Sequence, residues 1–209
     1  MTDKEKIEHM FQLQEELNVK IRGEDWRNQK LAWHRAIWTE CAELVESLDW
    51  KWWKESQTDI MNCHVELIDI WHFGMSHILQ NFPSQEHIIE YPDYIQTATV
   101  LYKEEILQRI EDLVFQCIGE NYFDCELFFF ICFHLNLTLD KLYKLYIGKQ
   151  VLNRFRNDNG YNDGSYNKIW NDQEDNVYMY HFIMNEKKVT EDSIYEYLEV
   201  SYEVEGSRA

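Results

Sequence analysis

An all-α fold is what this sequence predicts, and three observations carry the prediction. The 209 residues include only seven Gly and two Pro, too few to punctuate a β-sandwich. Apolar residues recur at helical spacing over long stretches, as in Ile7, Met10, Phe11, Leu13 and Leu17. Hydrophobic residues make up 45% of the chain, with eight Trp, thirteen Tyr and eleven Phe, enough for the core of one domain over 1–209.

The elements follow in order. Residues 3–20 read as an amphipathic helix with Gln14 and Asn18 one turn apart, and a loop follows near Gly23. In a helix over 31–48, Trp38, Cys41, Val45, Leu48 and Trp52 form one apolar line. Trp33, Ile37 and Leu44 form a second that runs through Glu40, so that Glu40 and Glu43 are expected among core residues. A Trp-rich corner, WKWW at 50–53, leads to a helix over 59–80 that ends before Pro83. After a break at Tyr91-Pro92-Asp93, helices are expected near 95–118 and 122–135, and from Thr138 to about 157. Residues 157–176, rich in Asn, Asp and Gly, read as a loop, and one last helix is expected over 190–200.

A formal net charge of −18 argues against a nucleic-acid polymer or an anionic membrane surface as partner. The N-terminal MTDKEKIEHM has no apolar signal-like run, and LFFFICF at 127–133 is far short of a membrane span, which points to a cytoplasmic protein. Five cysteines, never spaced C-x-x-C and mostly set among apolar neighbours, read as buried thiols.

Chemistry concentrates in two acid pairs. Glu40 and Glu43 lie in E-x-x-E, and Glu66 and Asp69 in E-x-x-D within VELIDIWHF, where Val65, Leu67, Ile68, Ile70, Trp71 and Phe73 surround the helix. At a spacing of three, both acids of a pair share a face, about 5 to 6 Å apart at Cβ. At an effective dielectric of about 20, each close pair repels by roughly 3 kcal/mol, so packing the two helices together demands positive charge between them. Arg or Lys counter-ions are one source, but the second helix has neither between His64 and Gln80. Hard carboxylate oxygens without a Cys or His cluster suit Mg²⁺ or Mn²⁺. Aligning Gly160 or Gly164 with the sixth position of an EF-hand loop fails at the first and twelfth positions. Magnesium commonly completes its shell with phosphate, which makes phosphoryl chemistry the leading reading.

The cations agree. Lys141, Lys144, Lys149, Arg154, Arg156 and Lys168 are six of the twenty Lys and Arg residues, and Lys149, Asn153 and Arg156 share one helix face. Such a face suits phosphate oxygens, with Lys168 reaching in from the loop. No P-loop, dinucleotide fingerprint or Ser-His-Asp arrangement is present.

These stretches together resemble the dimeric-type dUTPases of the all-α nucleoside triphosphate pyrophosphohydrolase superfamily. The resemblance rests on LQEELN at 13–18, ECAELVESLDWKWWK at 40–54, ELIDIWHF at 66–73 and GKQVLNRFRNDNGYNDGSYNKIWNDQEDN at 148–176. It implies a helical bundle with a rigid core and a mobile nucleotide-closing part, working as a homodimer on dUTP and dUDP. By it, Glu40, Glu43, Glu66 and Asp69 are ligands of two or three Mg²⁺ ions, with Mn²⁺ able to substitute. Gln14 and Asn18 address the uracil edge, and Asn153 holds the nucleoside. Phe73, which shares the face of Asp69, lies under the deoxyribose. Lys149, Arg156 and Lys168 take phosphate oxygens, and Tyr161, Asp175 and Asn176 belong to the same closing motif. One Trp among Trp50, Trp52 and Trp53 lines the base pocket, with Trp53 carried as the candidate. The reaction implied is hydrolysis of dUTP to dUMP and pyrophosphate by Mg²⁺-activated water, which Glu40 or Glu43 orients or deprotonates. Two departures stand out: the segment before Trp33 is short, and Asn162 stands where close relatives are expected to carry Lys. Two other readings remain open: a superfamily enzyme for another nucleotide such as dCTP, and a non-catalytic helical protein with a structural divalent site.

Overall fold

The structure, a computed structural model, describes residues 1–82, 89–93 and 101–205. Among them are eight α-helices and one hairpin with strands of two residues, an all-α protein as its sequence predicts. The chain divides into two compact units, Met1–Leu142 and Tyr143–Ala209.

The first unit is built around a buried helix. Helix α1, Asp3–Arg22, opens with a capping box in which Thr2 and Glu5 satisfy each other's backbone N–H, and it stops at Gly23 with φ +84°. A 3₁₀ turn, Trp26–Gln29, leads to α2, Trp33–Ser47. Helix α3, Ile60–Asn81, is N-capped by Asp59, whose carboxylate accepts from Asn62 N at 3.0 Å. It packs against α1, α2 and the 3₁₀ turn. That explains its apolar circumference: fifteen of its residues are buried, Val65, Leu67, Ile68, Ile70 and Trp71 among them. Helix α4, Lys103–Gly119, packs on α2, and α5, Cys125–His134, is capped by Asp124 and packs on α3 and α4. Its Phe128 and Phe129 lie 5.1 and 5.2 Å from the Trp71 ring, so the LFFFICF run supplies core. Of the helix expected near 95–118, the part before residue 101 lies outside the described residues, as does Pro83.

Helix α6, Leu139–Asp158, follows Thr138, whose hydroxyl accepts from Lys141 N at 3.4 Å. Two elements within the second unit were not expected from sequence. Strands β1, Ile169–Trp170, and β2, Gln173–Glu174, pair antiparallel across Asn171 and Asp172, both at positive φ as a tight hairpin requires. Helix α7, Asp175–Asn185, then precedes α8, Glu191–Glu205. Phe155 anchors this unit, with the rings of Tyr166, Trp170, Tyr195 and Tyr202 within 5.3 to 6.1 Å of it. Gly148 of α6 lets α7 approach closely: a Cβ there would stand 2.1 Å from Ile183 Cδ1.

Two expectations about α2 need correction. Trp38 is 43% exposed and Trp52 88% exposed, so neither belongs to a core line. The helix ends at Ser47, which takes Trp52 out of its periodicity, and α3 and α4 cover only the faces carrying Ile37, Cys41 and Leu44. All five cysteines are free thiols, four of them buried and Cys125 half-buried. Among the described residues no helix is long and apolar enough to cross a membrane.

Candidate active site

Packing α2 on α3 brings Glu40, Glu43 and Glu66 together, with one carboxyl oxygen from each lying within 4.8 Å of the others. The helical spacing of three does this within α2, and the interhelical contact adds the third acid. Burial is uneven, contrary to the expectation that the first-pair acids are core: Glu66 is 6% exposed, Glu40 half-buried and Glu43 exposed. Glu43 escapes because no element covers that edge of α2 among the described residues. Burial first, then the charges of Asp69, Glu40 and Glu43, push the Glu66 carboxyl up to about 8, helped by a hydrogen bond to Glu40. Asp69, one turn further along α3, thus lies close enough to act on Glu66 but outside the group of three.

Further along α3 a buried amide cluster meets α1. Gln14 Nε2 and Asn18 Nδ2 donate to Ser76 Oγ at 2.9 and 3.0 Å, and Ser76 Oγ donates to the His72 carbonyl at 2.9 Å. Gln14 Nε2 also donates to Asn18 Oδ1 at 3.3 Å, and His72 Nδ1 pairs with Gln14 Oε1 at 2.8 Å. Both amides are 4% exposed and are oriented by these partners. Ser76 is the residue that sequence reasoning missed, and His72, which stands out in the sequence as a polar residue on one strip with Glu66 and Asp69, takes its role only from its contact with Gln14. The signal available was their i, i+4 spacing in an otherwise apolar helix. Phe73 is half-buried and stacks on Trp33, centroids 6.2 Å apart. Of the corner tryptophans Trp50 is half-buried, and Trp53, 56% exposed, meets the rings of Trp50 and Trp52 edge-on at 5.2 and 5.3 Å.

The cationic candidates lie in the second unit. Lys149 and Arg156 are 5% and 8% exposed, with Asn153 half-buried between them on α6. The start of α7 holds both cations. Lys149 Nζ donates to Asn176 Oδ1 at 3.1 Å, and Arg156 makes a two-pronged pair with Asp175 through Nε at 2.8 Å and Nη2 at 2.7 Å. Asp175, fully buried, also accepts from Tyr166 Oη at 2.9 Å, while Arg156 Nη1 reaches Asn153 Oδ1 at 3.5 Å. Asp175 therefore fixes the Arg156 guanidinium. Lys168 and Tyr161 are exposed, the ammonium 5.1 Å from the ring centroid.

Three hard oxygens drawn together, one of them on the Glu66 carboxyl that burial first and negative neighbours second keep protonated, could hold a divalent cation. A family model described as dUTPase matches residues 6–161, a span that holds all four acids, the amide cluster, Phe73, Lys149, Asn153 and Arg156. A comparison with curated proteins returns no match. With three-quarters of its length matched in one piece, the chain belongs to the dimeric-type dUTPase family, a family of hydrolases.

Proposed function

We propose that this chain hydrolyses dUTP to dUMP and pyrophosphate, accepts dUDP as well, and works as a cytoplasmic homodimer with two or three Mg²⁺ ions, for which Mn²⁺ can substitute. The observation that carries the reading is the meeting of Glu40, Glu43 and Glu66 within 4.8 Å in a chain of the dUTPase family. A divalent ion held by these three and Asp69 would replace mutual repulsion by attraction and return Glu66 to its charged form. Bound there, Mg²⁺ would neutralise phosphate oxygens and activate water. The chain's own groups do the rest. Glu40 or Glu43 would orient that water and take its proton, a role that their lesser burial beside Glu66 supports.

Gln14 and Asn18 supply a donor to O4 and an acceptor to N3–H of uracil, polarities that cytosine inverts. Phe73 packs against the deoxyribose and leaves a 2′-hydroxyl without a partner. Trp53 covers the base, Asn153 holds the nucleoside, and Lys149, Arg156 and Lys168 take phosphate oxygens, with Tyr161 and Asn176 beside them. Pyrophosphate release from dUTP, dUDP, dCTP, dTTP and UTP, with and without Mg²⁺, tests the proposal. Divalent-dependent turnover of dUTP, lost in Glu40→Gln and Asp69→Asn proteins that still fold, is the expected result. Turnover of dCTP in preference to dUTP, or activity indifferent to chelation, would overturn it.

A further inference from the structure

A cleft elsewhere in the first unit is chemically the inverse of the acidic cluster. It has a volume of about 410 Å³, and its walls include Arg27, Lys30, His34, His77, Gln80 and Asn81. No Asp or Glu is among the described residues that line it, although acids outnumber Lys and Arg by 38 to 20 in the chain. His77 lies eleven residues beyond Glu66 on α3, which separates the two places by about 16 Å along the helix axis.

The walls are held in place. Gln80 Oε1 accepts from Leu31 N at 2.9 Å and Trp33 Nε1 at 3.2 Å, and its Nε2 donates to Leu31 O at 3.1 Å, which pins the segment carrying Lys30 and His34 to α3. Arg27 is steadied by Glu15, which accepts from Nη2 at 2.8 Å, and by the Trp26 ring, 5.7 Å from the guanidinium carbon. His77 is fixed as a neutral ring: Nε2–H donates to Asn121 O at 3.0 Å, and Nδ1 accepts from Asn81 Nδ2 at 3.3 Å. Glu15 offsets much of the Arg27 charge. The side chains of Lys30 and His34, by contrast, make no hydrogen bond or ion pair among the described residues. Lys30 and His34, carried into the cleft on a pinned segment and without a carboxylate beside them, leave donor capacity that an anion would satisfy. Apart from the imidazoles, no aromatic ring lines the cleft, so a nucleobase has nothing to stack on.

We infer that this cleft binds a compact, multiply charged oxyanion of the phosphate class, at a place separate from the acidic cluster and with Lys30 and His34 as its principal contacts. The inference does not rest on the reaction proposed above. Its test is a titration of the full-length protein, in chelator-containing buffer at constant ionic strength, followed through the imidazole ¹H–¹⁵N resonances. The probes are inorganic phosphate, pyrophosphate and dUMP. Phosphate and pyrophosphate should shift the His34 and His77 signals saturably, with half-saturation at or below about 1 mM, and dUMP should bind no tighter than phosphate. Lys30 has φ +51°, a conformation that Asn tolerates, so Lys30→Asn removes the charge without new backbone strain and should weaken binding at least about ten-fold. Lys149→Ala should leave it unchanged. Shifts reproduced by chloride alone, a response to dUMP alone, or binding that survives Lys30→Asn and disappears in Lys149→Ala would overturn the inference.

Discussion

Replacing Glu66 by Gln should stabilise the metal-free protein, against the usual outcome of altering a buried residue. Glu66 is 6% exposed, and burial together with Asp69, Glu40 and Glu43 raises its carboxyl from an ordinary 4.5 to about 8. The sign follows from proton binding. A group whose folded pKa is raised holds its proton more tightly in the native state, so its contribution is intact below pH 4.5 and is lost as pH rises towards 8. At pH 7 the loss is on the order of 3 kcal/mol. Glutamine keeps the shape, cannot ionise, and can donate to Glu40 at every pH, so Glu66→Gln should recover about 2 to 3 kcal/mol at pH 7 and nothing at pH 4.5. For a chain of this size that corresponds to a rise in Tm of about 5 to 10 °C. Denaturant unfolding of wild type and variant in chelator across pH 4.5–8.5 measures it. With saturating Mg²⁺ the order should invert if the ion binds as proposed, because the variant, short of one of four carboxylates, would gain less of the ion's binding energy. A variant less stable than wild type in chelator at pH 7, or a wild type whose stability does not fall between pH 5 and 8, would refute the account of Glu66 as a strained carboxyl awaiting a cation.

Three further outcomes are expected. Asp175→Asn leaves the Arg156 guanidinium buried without its counter-charge and should cost about 3 to 5 kcal/mol, whereas the double change Arg156→Met, Asp175→Leu should cost much less; equal losses in urea unfolding would contradict the pairing. Gly148→Ala sets a methyl 2.1 Å from Ile183 Cδ1 and should destabilise by about 1 to 3 kcal/mol through displacement of α7. Shortening the neighbour with Ile183→Val should restore most of that in thermal melts. Phe73→Ala removes the ring stacked on Trp33, and the ratio of kcat/KM for dUTP over UTP, expected to be at least roughly ten-fold in the wild type, should fall towards unity; an unchanged ratio would assign Phe73 to packing alone.

Helices α1, α3, α5, α6 and α8 were legible because each carries its own signal: a capping Thr or Asp, an apolar period of 3.6, or an apolar run bounded by polar residues. The pairing of acids within α2 and α3 was legible for the same reason, since a spacing of three on a helix is a local property. Helix α7 was not. Its DNVYMYHFIMN is rich in aromatic residues of modest helix propensity, and what holds it is a close approach to α6 at Gly148, a contact that no local pattern announces. The hairpin before it did have a signature in Asn171-Asp172, but strands of two residues are too short to alternate. The sequence alone therefore determined the fold class, the acid pairs, the amide pair and the family. Tertiary structure decided how those groups stand to one another. It left Trp38 and Glu43 outside, since only part of α2 is covered, and isolated Glu66 as the one deeply buried acid of the cluster. It also gave Ser76 and His72 to the amides, and Asp175 to Arg156 across nineteen residues of chain. Exposure, partner choice and pKa depend on which surfaces meet, and that is a property of packing that composition and periodicity do not encode.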